Sequence, residues 1–264
     1  MRKKFSTKGL TAIFAILAFL LLLFIGLPVI RMITGASPAV LFDSFRDPVV
    51  MNSIWLTLYS SLIATIAGIV LGVPLAYILA RRNFPGKFLV EGLINLPIVI
   101  PHSAAGIALL FVFGRNYIVG KLFNGIGISF VDSVPGIVIA MLFVSVPFMV
   151  LTAKEGFQKV DERLEKVART LGASPWRTFL SITLPLSKRS IGAGAMLMWG
   201  RGISEFGAIV ILAYHPITAS VLVFERFQTQ GLAYAVPVAV ILVLISLLIF
   251  IGFRWLVQQE KRFD

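Results

Sequence analysis

Charged residues in this chain are gathered into short clusters, and long apolar stretches run between the clusters. A helix needs about 20 apolar residues to cross a bilayer. The pattern predicts six such spans, at about 10–30, 52–80, 92–114, 133–153, 190–213 and 232–253. The first follows a basic start (Arg2, Lys3, Lys4, Lys8), as a secretory signal would. It outruns a signal core of roughly 7–15 residues, however, and no A-x-A-like cleavage site follows it. The second apolar run begins at Val49 and is too long for one perpendicular helix. Either it tilts, or Pro48–Thr57 forms an interfacial lead-in. Pro97 and Pro101 are expected to break the third span twice, and Pro147 lies within the fourth. With no repeat, linker or soluble domain in between, residues 1–264 read as a single all-α polytopic membrane domain.

Composition agrees with the pattern. Hydrophobic residues make up 58% of the chain, and the mean hydropathy of +0.94 is far from that of a soluble domain. The absence of cysteine excludes disulfides, thiolate metal sites and cysteine nucleophiles. A net charge of +12 would point to nucleic acid in a soluble protein. In a membrane protein it reflects the gathering of Lys and Arg on the cytoplasmic side, and no nucleic-acid partner is implied. With the N-terminus inside, 18 of the 24 Lys and Arg are cytoplasmic, five are outside and Arg201 lies within a span. This places the chain in the plasma membrane with both termini and the loop 155–186 in the cytoplasm.

That loop is the longest polar passage. Leu164, Val167, Ala168 and Leu171 recur at i, i+3, i+4 and i+7, one apolar stripe on a helix. Glu162, Arg163, Lys166 and Arg169 fill the other side. Gly172 ends the pattern as a left-handed C-terminal residue would. Ser174-Pro175 restarts it, with serine as N-cap and proline at the first helical position. Trp176, Phe179 and Leu180 follow, and Leu184-Pro185 closes the second helix. The product is a helix-turn-helix that offers apolar side chains outside the bilayer. By residue pattern alone it either docks on a partner or lies on the membrane surface.

The spacing Ala168-x3-Gly172-x9-Ile182-x-Leu184-Pro185 resembles the cytoplasmic loop of ABC-importer permeases, written EAA-x3-G-x9-I-x-L-P. Lys166 stands where that pattern has Glu, Val167 where it has its first Ala, and Glu165 falls one position early. The resemblance implies that the loop docks on an ATPase subunit through Glu165, Lys166, Ala168, Arg169, Leu171, Gly172, Ala173, Ser174, Pro175, Trp176, Phe179, Ile182, Leu184 and Pro185.

Candidate chemistry within the chain is sparse. No phosphate-binding loop is present: Gly114 to Leu122 has five residues between its glycines and Leu where Ser or Thr should hold Mg²⁺. His102 and His215 have no acidic or cysteine neighbours at metal-ligand spacing, and no nucleophile–base pair is legible. The chain is therefore expected to bind no cofactor and to catalyse nothing itself. Arg201 and Glu205, four residues apart, are the ionisable pair of the fifth span. Charges there cost about 2.5–3.5 kcal/mol each on insertion scales and must pair or face a polar cavity. They read either as a cation beside an anion path or as a structural ion pair. Gly200, Ser204 and Ala208, with Gly192, Gly194, Gly202 and Gly207, predict close helix packing along that span. Pro101, His102 and Ser103 read as a gate or as a plain kink.

A second likeness narrows the family. Leu96–Leu110 (LPIVIPHSAAGIALL) and Arg201–Ala213 (RGISEFGAIVILA) are similar to stretches of tetrahedral-oxyanion permeases, above all the molybdate/tungstate branch, with sulfate/thiosulfate permeases looser. The likeness implies a type I ABC-importer permease fold. Two copies would form the pathway, two ATPase subunits carrying ATP and Mg²⁺ would bind the loops, and an external binding protein would deliver the oxyanion. An ion-driven secondary transporter would need intramembrane acids, and Glu205 with Glu91 is a thin set. A membrane anchor would leave Arg201 without a purpose.

Overall fold

A computed structural model describes residues 7–259; part of the basic N-terminus (1–6) and the charged tail (260–264) lie outside the described residues. Among those described, all regular structure is helical. The chain opens with α1 (Thr7–Gly35), α2 (Pro38–Arg46) and α3 (Pro48–Arg81). Next come α4 (Lys87–Val99), α5 (His102–Phe113), α6 (Ile118–Asn124) and α7 (Val134–Gln158). The polar loop forms α8 (Glu162–Thr170) and α9 (Pro175–Thr178), which passes through a π turn at Phe179–Thr183 into α10 (Leu184–Ile203). Finally α11 (Gly207–Leu212), α12 (Ala219–Gln230) and α13 (Leu232–Gln259) complete the fold.

Of the six predicted spans, not all are single uninterrupted helices. Among the described residues, four helices are long and apolar enough to cross a membrane: Gly9–Gly35, Pro48–Arg81, Val134–Gln158 and Leu232–Gly252. By the same length and composition α4 and α5 make a fifth if counted together, and they are bent by 117°. One break suffices, not two. Pro101 forces Ile100 into extended backbone (φ −73°, ψ 145°), while Pro97 is carried inside α4. The second run is a single helix from Pro48, so no separate lead-in forms within it.

The fifth predicted span is also divided. α10 begins with Leu184-Pro185 instead of ending there, because the π turn before it widens the backbone where proline supplies no N–H. It carries Lys188, Arg189 and Arg201, and it stops at Ile203; the chain turns at Ser204–Phe206 before α11. Arg201 and Glu205 therefore do not share one helix, although their side chains still meet.

Helix α7 is the centre of the bundle, packed between α3 and α10. Its Ile137, Met141, Met149 and Phe157 are fully buried. Three short helices, α2, α6 and α12, were not legible beforehand. Asp47 joins two of these regions by capping α3 through the Val49 N–H and pairing with Arg226 of α12 at 2.5 Å. Burial pushes the Asp47 carboxyl up, but the Arg226 guanidinium and the Val49 N–H outweigh it and hold the carboxyl below its usual value.

Candidate functional site

Two groups of the predicted residues come together, at opposite ends of α10. The first is the polar loop. Asp161 caps α8 by accepting from the Arg163 N–H. At the other end Gly172 adopts φ +89°. The Ala173 N–H then reaches the Ala168 carbonyl at 3.0 Å, and the Gly172 N–H reaches that of Arg169 at 3.1 Å. This paired closure satisfies the last carbonyls of α8 and needs a left-handed residue at 172. Ser174 Oγ accepts from the Arg177 N–H at 3.2 Å, with Pro175 in the first turn of α9. The turn between the helices is thus set by local hydrogen bonds at both ends.

The loop residues divide into two faces. Glu165 points inward: its Oε1 accepts from Arg81 Nε at 2.9 Å and from Thr183 Oγ1 at 2.8 Å. Arg81 also donates to the Val160 carbonyl. This clamp ties the loop to the end of α3, with the Arg81 and Glu165 side chains 8% and 13% exposed. Lys166 points outward, 73% exposed, with only a 3.6 Å approach to Glu162. Leu164, Val167 and Leu171 face outward as well, Leu171 being 83% exposed. Phe179 turns toward the bundle against Tyr77 at 4.9 Å, and Trp176 stacks on Phe179 at 5.9 Å. Ala168, Ala173, Ile182 and Leu184 are half-buried, and Pro185 is exposed. Arg81 and Thr183 were missed because nothing in their sequence neighbourhood marks a partner 84 or 18 residues away.

The second group is a polar cluster about 24 Å further along α10, from the rise per residue. Glu205 is fully buried. Its Oε1 accepts from the Ala208 N–H at 2.8 Å, and its Oε2 accepts from Arg201 at 2.9 Å and lies 2.7 Å from His102 Nδ1. Arg201 Nη2 lies against both ring nitrogens of His102, 2.6 Å from Nδ1 and 2.9 Å from Nε2. Ser204 Oγ takes a further Arg201 N–H at 3.2 Å. Ser220 Oγ donates to the Glu205 carbonyl. His102 and Arg201 remain 34% and 23% exposed, so the cluster opens to one side. Pro101 and Ser103 are exposed beside it.

The cluster forms because two interrupted helices touch at their breaks. A Cβ on Gly207 would stand 2.7 Å from His102 Cβ, and one on Gly106 would stand 2.9 Å from the Ala208 carbonyl oxygen. Only glycine permits that approach of α5 to α11. The predicted stripe is otherwise redistributed: Gly194 packs on α7 at Met149 and Thr152, and Gly202 on Ser61, while Gly192 and Gly200 meet nothing.

Residues 68–263 match the family described as the binding-protein-dependent transport system inner membrane component, and the chain belongs to that family of ABC-importer permeases. It is a multi-pass membrane protein with the helical fold of those importers' membrane subunits. Among curated relatives, it is 47% identical over 94% of its length to the molybdate/tungstate transport system permease protein WtpB of Thermococcus kodakarensis, covering 96% of that protein. The Pyrococcus furiosus protein of the same name is 48% identical, with 94% and 95% covered. A probable sulfate transport system permease, cysT of Chlorokybus atmophyticus, is 35% identical, with 87% and 83% covered. Among solved structures, a bacterial ABC transporter that imports alginate superposes with a TM-score of 0.74 over 95% of both chains at 17% identity. The inward-facing MetNI methionine transporter gives 0.64, over 80% of this chain and 95% of that one, also at 17%. At that identity these two likenesses speak to the fold alone.

Proposed function

We propose that this chain is the transmembrane pathway subunit of an ATP-driven importer for a tetrahedral oxyanion, molybdate or tungstate. The observation that carries this is the near full-length identity of 43–48% to proteins named molybdate/tungstate permeases. In this reading two copies enclose the path, an external binding protein delivers the anion, and two ATPase subunits dock on the α8–α9 loops. ATP and Mg²⁺ belong to those subunits. Both termini lie in the plasma-membrane protein's cytoplasmic side, as the distribution of Lys and Arg supports. Counting α4–α5 and α10–α11 as one crossing each completes six.

The mechanism follows from the two ends of α10. Leu164, Val167 and Leu171 are the apolar contacts for the ATPase, and Lys166 is the exposed charge among them. The Arg81–Glu165–Thr183 clamp transmits the loop's displacement to α3 and α10. ATP binding draws the loops together and shifts the bundle between inward- and outward-open states. At the far end Arg201, with Ser204 and His102, faces the path and attracts the oxyanion; Glu205 holds Arg201 in place. Pro101 and Ser103 line the same break.

The test is uptake by liposomes holding the permease with its ATPase, the binding protein being loaded in turn with molybdate, tungstate or sulfate. ATP-dependent uptake of the first two is expected. Uptake of sulfate alone would move the chain to the sulfate class, and failure of any ATPase to assemble would overturn the docking loop. A sharper probe is Gly172→Val. Its φ of +89° is strained for a β-branched residue by about 1–2 kcal/mol, although space is open around it. Membrane insertion should be normal, while ATP hydrolysis continues without uptake; normal uptake by the variant would contradict force transmission through this turn.

A further inference from the structure

A cavity of about 580 Å³ lies between the second half of α3 and the α8–α10 segment. That is the size of a ligand cleft, which runs about 300–1,000 Å³. One wall is aliphatic, from Val70, Val73 and Ile78, and the opposite wall is Trp176 and Phe179. Arg82 and Arg169 stand at one end. The acid there, Glu165, is already taken by Arg81 and Thr183. The guanidinium groups of Arg82 and Arg169 make no hydrogen bond or ion pair among the described residues. Arg82 immediately follows the last residue of a helix long enough to span a membrane. The charged end of the cavity is therefore at the polar end of that helix, and the apolar part extends about 20 Å back along it, from the rise of Ile69 to Arg82.

We propose that this cavity binds an anionic phospholipid, its phosphate held between Arg82 and Arg169 and an acyl chain laid between Val70, Ile78 and Trp176. Charge selects this occupant. A basic pocket between helices at the membrane boundary suits an anionic headgroup. A second copy of this chain, net +12, would bring more positive charge to two unneutralised arginines. A small free oxyanion would leave the apolar walls uncovered. Because the cavity touches Trp176, Phe179 and Leu184, a bound lipid also wedges the loop against α3. The site depends on the membrane placement of α3, not on the identity of the transported anion.

Trp176 provides the readout. With Trp55, Trp199 and Trp255 changed to Phe, its fluorescence would be measured in vesicles doped with brominated phosphatidylglycerol or brominated phosphatidylcholine. Phosphatidylglycerol is expected to quench at about tenfold lower mole fraction. Arg82→Gln with Arg169→Gln should abolish that preference, and inorganic phosphate should not displace the lipid. Equal quenching by both lipids overturns the proposal, as does displacement by phosphate alone. Absence of quenching by either lipid overturns it too, since something else then covers the groove. Should the single-tryptophan chain fail to fold, native mass spectrometry of the unaltered chain and the double arginine variant decides. Phosphatidylglycerol retained by the first and lost from the second supports the site; equal retention refutes it.

Discussion

Glu205→Ala is expected to cost about 3–5 kcal/mol of stability, the usual loss when one partner of a buried ion pair is removed. The change removes the carboxylate that pairs with Arg201 and takes away the acceptor of the Ala208 N–H. His102 loses its carboxylate partner as well. Thermal unfolding of the detergent-solubilised protein would show this as a sharply lowered midpoint. Glu205→Gln should lose less, because an amide oxygen can still accept from Ala208. The two roles considered for the pair are separable by a double variant. Arg201→Met with Glu205→Leu leaves no unpaired charge, and such replacements are often close to neutral for folding. The part of the loss due to the unpaired charge should return, while the Ala208 N–H stays without its acceptor. If uptake returns with it, Arg201 and Glu205 are a structural pair; the pathway role requires that uptake stay lost.

Gly106→Val is expected to part α5 from α11 and to abolish uptake with assembly of the complex intact. A Cβ at 106 would lie 2.8 Å from Ile211 Cβ, 2.9 Å from the Ala208 oxygen and 3.0 Å from the Ala208 Cα. Two of these are backbone atoms of the neighbouring helix, so relief requires a helix shift, at about 1–3 kcal/mol for overpacking. That shift moves His102, at the start of α5, away from Glu205. Gly192→Ala is the control: nothing stands within 4 Å of its Cβ, and alanine improves helix propensity by about 1 kcal/mol. An unfolding midpoint lowered equally by both variants would contradict the α5–α11 contact.

Much of the loop was legible because its determinants are local. The closure at Gly172, the Ser174 cap and Pro175 in the first turn concern hydrogen bonds within five residues, and sequence spacing specifies them. The division of the loop into an outward and an inward face was not legible. Glu165 and Lys166 are adjacent, and either could have been the exposed charge; Arg81, 84 residues away, decides. In the membrane part, the positions of apolar helices follow from hydrophobicity, but their inner faces do not. Lipid and protein core are equally apolar, so a helix such as α1 or α3 carries little periodic signal to show which side is packed.

The sequence alone determined an all-helical membrane chain, the clustering of its charges, the turn between α8 and α9, and the residue types that resemble oxyanion permeases. These rest on composition, on charge and on contacts a few residues long. Only the tertiary structure decided that α4–α5 bends by 117° at Pro101, that α10 stops at Ile203, and that the two breaks meet through Gly106 and Gly207. It also decided that Arg201, Glu205 and His102 form one cluster. The physical reason is that a proline or a turn permits an interruption but does not set its angle. The angle comes from close backbone packing and from burial of Glu205, whose charge has to find Arg201, His102 and the Ala208 N–H.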